Sequence, residues 1–225
     1  MSAMQWSYGI TTVPSRLHTT FPRTLKSLAN TGFDKPHLFV DGCSDSDKYL
    51  NCSSHGITLH HPALRTVGNW VAALWELYCK NPDAHRYAIF QDDLVTCLSL
   101  REYLEKCPYI TNTYLNLFTA LANQSSHEGW YFSNQKGLGA VALVFDNQTA
   151  IKLLKSPKLI DKPKSSKGHK AIDGAIIDAL KDSGVKELVH NPSLVQHTGE
   201  VTSIVGNKQH PISSSFPGED YDLLK

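Results

Sequence analysis

The chain has 225 residues, 41% hydrophobic and 19% charged, with a formal net charge of +1. That length suits one α/β domain with a sizeable core, and the composition excludes a disordered tail or fibrous repeat as the dominant state. Near-neutrality gives whole-molecule electrostatics no mandate for nucleic acid or membrane, and five scattered cysteines without a Cys-x-x-Cys pair argue against a zinc finger or a disulfide framework.

The chain opens without the basic segment and apolar core of a secretory signal, and no run approaches the roughly 18 apolar residues of a membrane span. A cytoplasmic location is therefore expected, with reduced thiols and no membrane contact. Oligomeric state is not legible.

Residues 5–12 read as a strand ended by Pro14, and 21–29 as a helix with Phe21, Leu25 and Leu28 on one face. Residues 37–40 form an apolar strand closed by Asp41-Gly42. Strand, helix, strand is the opening of a parallel-sheet α/β fold. A short strand at 57–60 follows, then an amphipathic helix at 67–79 with Val67, Trp70, Val71, Leu74, Leu77 and Tyr78 at helical spacing. Residues 87–90 form a buried strand that stops abruptly at Gln91-Asp92-Asp93.

Beyond Asp93 the expected order is a helix at 98–106, a strand at 114–119, a Gly-rich stretch at 137–145 and a helix at 147–154. From Lys152 to Lys170 the sequence KLLKSPKLIDKPKSSKGHK holds seven lysines against one acid. A helix at 172–181 then places Ile172, Ala175, Ile176 and Leu180 inward and ends at Gly184. A last strand spans 187–190. QHTGEVTSIVGNKQHPISSS is expected as an ordered loop or lid, and 218–225 as a frayed tail. One domain over 1–225 is expected, with a nucleotide-binding half at about 1–95 and an acceptor-binding half at about 96–217.

In an open α/β sheet, ligands bind beyond the carboxyl ends of the strands, which here carry Thr11-Thr12, Asp41-Gly42 and Gln91-Asp92-Asp93. Two adjacent acids directly after an apolar strand are costly unless a cation or strong donors neutralise them. A divalent ion bridging a carboxylate and a nucleotide diphosphate would do so, with Asp93 as first-ranked ligand and hard oxygens favouring Mg²⁺ or Mn²⁺. The plainer alternative is that Asp92 and Asp93 cap the helix beginning near Leu98.

YGITTVPSR, FVDG, YAIFQDDL, GLGAVALVF, AIDGAIID and QHTGEVTSI together resemble a GT-A-fold nucleotide-sugar glycosyltransferase, over nearly the whole chain. The resemblance implies a GT-A (Rossmann-like) single α/β domain with a mainly parallel central sheet flanked by helices. It implies that Thr11, Thr12, Val13 and Arg16 grip the nucleotide, that Asp41 contacts base or ribose, and that Arg65 and Asn69 border the nucleotide. Gln91 departs from the usual Asp-x-Asp or Glu-Asp-Asp, which leaves Asp93 to the metal and Asp92 to the ribose or a supporting position. The resemblance further implies His197 as a second metal ligand and Asp173 as the general base of an inverting transfer from a nucleotide-sugar, UDP-sugar favoured, with Mn²⁺ or Mg²⁺. A plain helix-dipole role remains open for Asp173, as does a solvated surface role for Arg16.

The lysine run precedes Asp173 and would lie along the acceptor side. A polyanionic acceptor, such as DNA carrying hydroxymethylated bases bound through Lys152–Lys170, is one inference, and a solvated loop is the other. A bacterial glycan or a protein is the competing acceptor. A nucleotidyltransferase shares sheet and carboxylates but generally carries a Gly-rich basic loop where this chain has TTVPSR. A non-catalytic nucleotide-sugar-binding module is the third class.

Overall fold

In the computed structural model, which describes residues 3–107, 110–160, 171–198 and 211–225, the chain opens with the strand and helix alternation its apolar runs predict. β1 (Trp6–Thr12) is buried at six of seven positions, as an inner strand covered on both faces must be. α1 (Phe21–Ala29) carries Pro22 in its first turn, where the missing N–H has no helical partner to lose. β2 (His37–Asp41), β3 (Gly56–His60), α2 (Arg65–Lys80) and β4 (Arg86–Gln91) follow. These four strands pair in parallel in the order β3-β2-β1-β4.

The second half adds β5 (Leu94–Thr96), α3 (Leu100–Lys106), β6 (Thr113–Asn116), β7 (Gly129–Phe132), β8 (Ala142–Asp146), α4 (Asn147–Lys155), α5 (Pro157–Ile160), α6 (Ile172–Lys181), β9 (Lys186–Asn191) and β10 (Val195–His197). The main sheet runs β3-β2-β1-β4-β8-β6-β9-β7. β8 is antiparallel to β4 and β6, and β7 is antiparallel to β9. The sheet is thus mainly parallel, and the expected α/β class is what the structure shows.

Side-chain alternation sorts the core into two layers. Ala88 and Phe90 of β4 point to the face covered by Phe21 and Leu28 of α1 and Leu100 and Leu104 of α3. Tyr87 and Ile89 point to the face covered by Trp70 and Leu74 of α2, Leu153 of α4 and Ile176 and Leu180 of α6. Each fully buried Phe or Leu in these layers stabilises the fold by about 1.5–3 kcal/mol.

The short β5 lies outside the main sheet and pairs with β10. Its other edge is completed by α1 side chains: the Thr24 hydroxyl accepts from Leu94 N at 3.0 Å and donates to Leu94 O at 2.8 Å, and Ser27 Oγ accepts from Thr96 N at 2.9 Å. Hydroxyls thus stand in for a neighbouring strand, which locks the chain just after Asp93.

The tail corrects an expectation. Residues 218–225 do not fray: Leu98 N donates to Tyr221 O at 2.9 Å, Leu223 N to Leu98 O at 3.4 Å, and Leu223 packs on the core. An apolar anchor plus two backbone bonds outweighs the ordering cost of a short terminus. Of the glycine- and serine-rich segment expected as a loop or lid, 199–210 lie outside the described residues.

Candidate active site

β1 and β4 are neighbours, so their carboxyl ends deliver Thr12 and Asp92 to one place: Thr12 Oγ1 donates to Asp92 Oδ2 at 2.7 Å. The short turn at Pro14–Arg16, entered through an extended Val13, brings Arg16 over the same spot. Its Nη1 lies 3.2 Å from Asp92 Oδ1 and 2.5 Å from Asp93 Oδ2. The Arg16 side chain is 11% exposed and those of Asp92 and Asp93 are 9% and 3% exposed, so this is a desolvated triad and not a surface ion pair. The solvated reading of Arg16 is therefore excluded.

β10 supplies the fourth member. Its pairing places His197 opposite Leu94, and Thr198 N donates to Asp93 O at 2.8 Å. His197 Nδ1 comes within 3.5 Å of Asp93 Oδ1, with its ring edge-on to Phe118 at 5.3 Å.

The two acids differ in character. Burial pushes Asp92 up to about 6; Arg16 opposes this, the Asp93 charge adds to it, and the Thr12 hydroxyl holds it down. Burial works the same way on Asp93, but His197 and Arg16 outweigh it and hold Asp93 well below the usual carboxylate range. Asp93 is thus the permanent anion of the pair.

Asp93 offers a hard oxygen of the type that Mn²⁺ and Mg²⁺ take, and the imidazole nitrogen of His197 suits the transition ion Mn²⁺ better than the oxygen-preferring Mg²⁺. The 3.5 Å separation of the two side chains is one that ligands about 2.1 Å from a shared ion can span. Among the described residues no group of three or more His, Cys, Asp or Glu side chains gathers as metal ligands. Such an ion would draw its remaining ligands from diphosphate oxygens and water, which is how Mg²⁺ is ordinarily held.

Asp173 reaches the same end of the sheet by a different route. Gln91 N donates to Val141 O at 2.8 Å and Gln91 Nε2 to Ala140 O at 2.9 Å, tying the strand end of β4 to the lead-in of β8. One residue earlier, Gly139 N donates to Asp173 Oδ2 at 2.9 Å, and Asp173 Oδ1 accepts from Gly174 N at 3.0 Å. Gln91, a departure in the sequence motif, thus ties the strand end that carries the acids to the Gly-rich turn that bonds Asp173.

Other expected contacts are placed differently. Asp41 accepts from Leu64 N at 2.7 Å and Arg65 N at 2.8 Å, so its carboxylate caps the entry to α2. Arg65 is exposed, with φ +64, beside that cap. Thr11 Oγ1 donates to Phe90 O at 3.4 Å, and Val13 O accepts from Arg16 N at 3.0 Å. Asn69 does not border a ligand space: it is 3% exposed, with Nδ2 on Phe39 O and Oδ1 on His60 Nδ1. It lies on the inner face of α2, where helical periodicity buries it against the sheet.

Of the lysine run, 161–170 lie outside the described residues. Lys152 bonds Asn112 Oδ1 at 2.8 Å and Lys158 pairs with Asp182, so these two are engaged locally.

Sequence reasoning missed Glu187. It is 1% exposed and accepts at Oε1 from Tyr114 OH at 3.0 Å and Asn116 Nδ2 at 3.1 Å, while Asn116 Nδ2 also donates to Leu138 O. This joins it to the turn that holds Asp173. Burial raises Glu187 above the ordinary carboxylate range, Ser133, Asn116 and Tyr114 pull it back, and the Asp173 charge adds to the rise. A raised folded-state value means that the stability contributed by neutral Glu187 is present in acid and is lost as pH rises through that value. E187Q keeps the acceptor and removes the titration. In urea unfolding from pH 4 to pH 8, the stability difference is expected to move in favour of E187Q as pH rises from the ordinary carboxylate value to the raised one, and to level off above it. A pH-independent difference would show that Glu187 carries no such shift.

No family model and no curated protein matches the chain. Solved structures do. TarS from S. aureus matches with TM-score 0.57 at 12% identity over 88% of this chain, and GalNAc-T7, solved with UDP, GalNAc and Mn²⁺, with TM-score 0.56 at 8% over 84%. The chain spans 37% and 43% of those two proteins. A nucleotidyl transferase from Methanothermobacter thermautotroptrophicus, Mth528, matches with TM-score 0.53 at 14% identity over 84% of this chain and 87% of its own. At such identities the likeness is one of fold, and the fold it shows is GT-A-like: one α/β domain whose large, mainly parallel sheet is flanked by helices.

Proposed function

We propose that the chain is an inverting glycosyltransferase that moves a sugar from a nucleotide-sugar, UDP-sugar favoured, to an acceptor hydroxyl. The observation that supports this reading is the Gln91 bridge: Gln91 Nε2 bonds Ala140 O, and the neighbouring Gly139 N bonds the half-buried Asp173 carboxylate, which links Asp173 to the strand end that carries Asp92 and Asp93. Asp93 and His197 would hold Mn²⁺ or Mg²⁺, which when bound supplies charge stabilisation to the departing diphosphate. Thr12 and Asp92 would steady the ribose side, and Arg65 the rim toward the base, with Asp41 holding the Leu64–Arg65 backbone beneath it.

Asp173 accepts one backbone N–H on each oxygen, so each keeps a lone pair for an incoming hydroxyl. In the transfer, the acceptor O–H proton passes to Asp173 and the oxygen bonds to the anomeric carbon. The bond from that carbon to the diphosphate oxygen breaks, and its electron pair leaves with the nucleoside diphosphate. Attack from the face opposite the leaving group inverts the anomeric centre.

The likeness to Mth528 favours nucleotidyl transfer as a second reading. One assay separates them: a panel of UDP- and GDP-sugars with Mn²⁺ or Mg²⁺, offered glycan, protein and hydroxymethylated-DNA acceptors, with products resolved by phosphate chemistry. Release of nucleoside diphosphate is expected. Pyrophosphate release would decide for nucleotidyl transfer, and tight donor binding without turnover for a binding module.

A further inference from the structure

One side chain holds both acids. Arg16 Nη1 contacts Asp92 Oδ1 at 3.2 Å and Asp93 Oδ2 at 2.5 Å, in the position where a cation serving the pair would stand. Arg16 closes the three-residue turn Pro14–Arg16 that follows β1, so its guanidinium reaches the two acids from a turn and not from a strand or a long helix. The Thr12 hydroxyl, at 2.7 Å, fixes Asp92 independently of it.

A divalent ion on Asp93 and His197 would lie beside this guanidinium. Two cations at that spacing, in a site this buried, repel strongly. The carboxylates therefore suit either Arg16 or the ion, and whichever is displaced needs another anion. A nucleoside diphosphate provides one, since a guanidinium binds phosphate oxygens through paired N–H donors.

We infer that Arg16 is the exchangeable cation of this site: it neutralises Asp92 and Asp93 in the ligand-free protein and turns to the donor diphosphate when a divalent ion takes Asp93, so that one side chain couples metal and nucleotide binding. This rests on the reading of the site as a nucleotide-sugar site. It goes beyond that reading in assigning an order to the charges. Metal alone must compete with Arg16, nucleotide alone must draw Arg16 off its two acids, and the pair together satisfies every charge. Linkage makes the coupling reciprocal, so UDP tightens Mn²⁺ by the factor by which Mn²⁺ tightens UDP.

The test is a titration with Mn²⁺ alone, read by electron paramagnetic resonance of the free ion, on the wild type and R16M, each with and without saturating UDP. Without UDP, R16M is expected to bind Mn²⁺ at least about tenfold tighter than wild type, since a competitor worth 1.4 kcal/mol weakens binding by that factor. The tightening by UDP should be smaller in R16M than in wild type. Equal or weaker Mn²⁺ binding by R16M, with UDP still bound by both proteins, overturns the inference and leaves the donor-site reading standing. UDP binding with no Mn²⁺ bound by either protein overturns it too, and marks Arg16 as the site's permanent cation. Failure of UDP to bind either protein overturns both readings.

Should R16M fail to fold, wild-type protein labelled with ¹⁵N-arginine serves in its place. Mg²⁺ with UDP is expected to move the Arg16 side-chain resonances, whereas resonances unchanged from the ligand-free state overturn the exchange.

Discussion

Exchanging Asp173 for Asn is expected to lower kcat by about 10²–10⁴-fold, the usual worth of a positioned general base. Asn Oδ1 can still accept from Gly139 N, which meets Asp173 Oδ2 at 2.9 Å, and so keeps the bond between the Gly-rich turn and α6. The bond from Gly174 N to Oδ1 is lost, because an amide nitrogen cannot accept it, and with it goes a modest part of the stability. The capacity to take a proton is lost as well. UDP affinity, read by calorimetry, should stay within a small factor of wild type, because the donor platform at Thr12, Arg16, Asp92 and Asp93 makes no bond to this carboxylate. The result therefore discriminates between roles. A helix-dipole contribution alone is worth about 0.3–1 kcal/mol and would appear as a small loss of stability with turnover intact. Undiminished kcat in D173N would point to a retaining displacement, which needs no such base, and would end the assignment.

The reach and the limits of sequence reading have physical causes in this chain. α1, α2, α4 and α6 and the strands β1 to β4 each hold enough apolar residues at one period to name themselves, and α6 matches its expected bounds, Ile172–Lys181. Strand direction is another matter. GLGAVALVF stands out as Gly-rich, yet nothing local says that its second half is β8 or that β8 runs against β4; that is decided by where Ala140 and Val141 meet Gln91. β5 and β10, three residues each, are too short for any period to show and are held by Thr24, Ser27 and the Asp93–Thr198 bond. β7 sits among polar residues and is equally silent.

The site divides in the same way. Asp92 and Asp93 stand out as adjacent acids closing an apolar strand, whereas His197 and Asp173 are named only by the resemblance. That His197 meets Asp93 is not legible, since it depends on β10 folding back beside β5. Asn69 is misassigned because a polar residue on the inner face of a helix looks, in sequence, like one on its rim. Asp41 illustrates a further limit. Its place after β2 is legible, but its attachment to the Leu64 and Arg65 amides depends on the path of the chain after β3. Glu187 gives no signal because a lone acid at the start of a strand is ordinarily solvated, whereas the packing of Tyr114 and Asn116 encloses it.

Replacing Gly137 by Ala is expected to cost about 3 kcal/mol or more, well above what its backbone angle alone predicts. Gly137 adopts φ +68, where an L side chain is strained by about 1–2 kcal/mol. Steric contact costs more than that strain. A Cβ there would come within 2.4 Å of Asp173 O and 2.8 Å of Gly174 N, both backbone atoms of the first turn of α6 that no rotamer change can move away. Either the turn or the helix must retreat, and each retreat pulls Gly139 N from Asp173. Gly184 supplies the control: it has the same φ of +68 at the end of α6, and a Cβ there meets nothing within 4 Å. G184A should therefore lose only about 1–2 kcal/mol and keep its turnover, whereas G137A should lose both stability and kcat, compared by urea unfolding and by donor turnover. Equal losses in the two variants would mean that the approach of the Gly-rich turn to α6 is not what sets Asp173 in place, and the Gln91 bridge would then have to hold that geometry unaided.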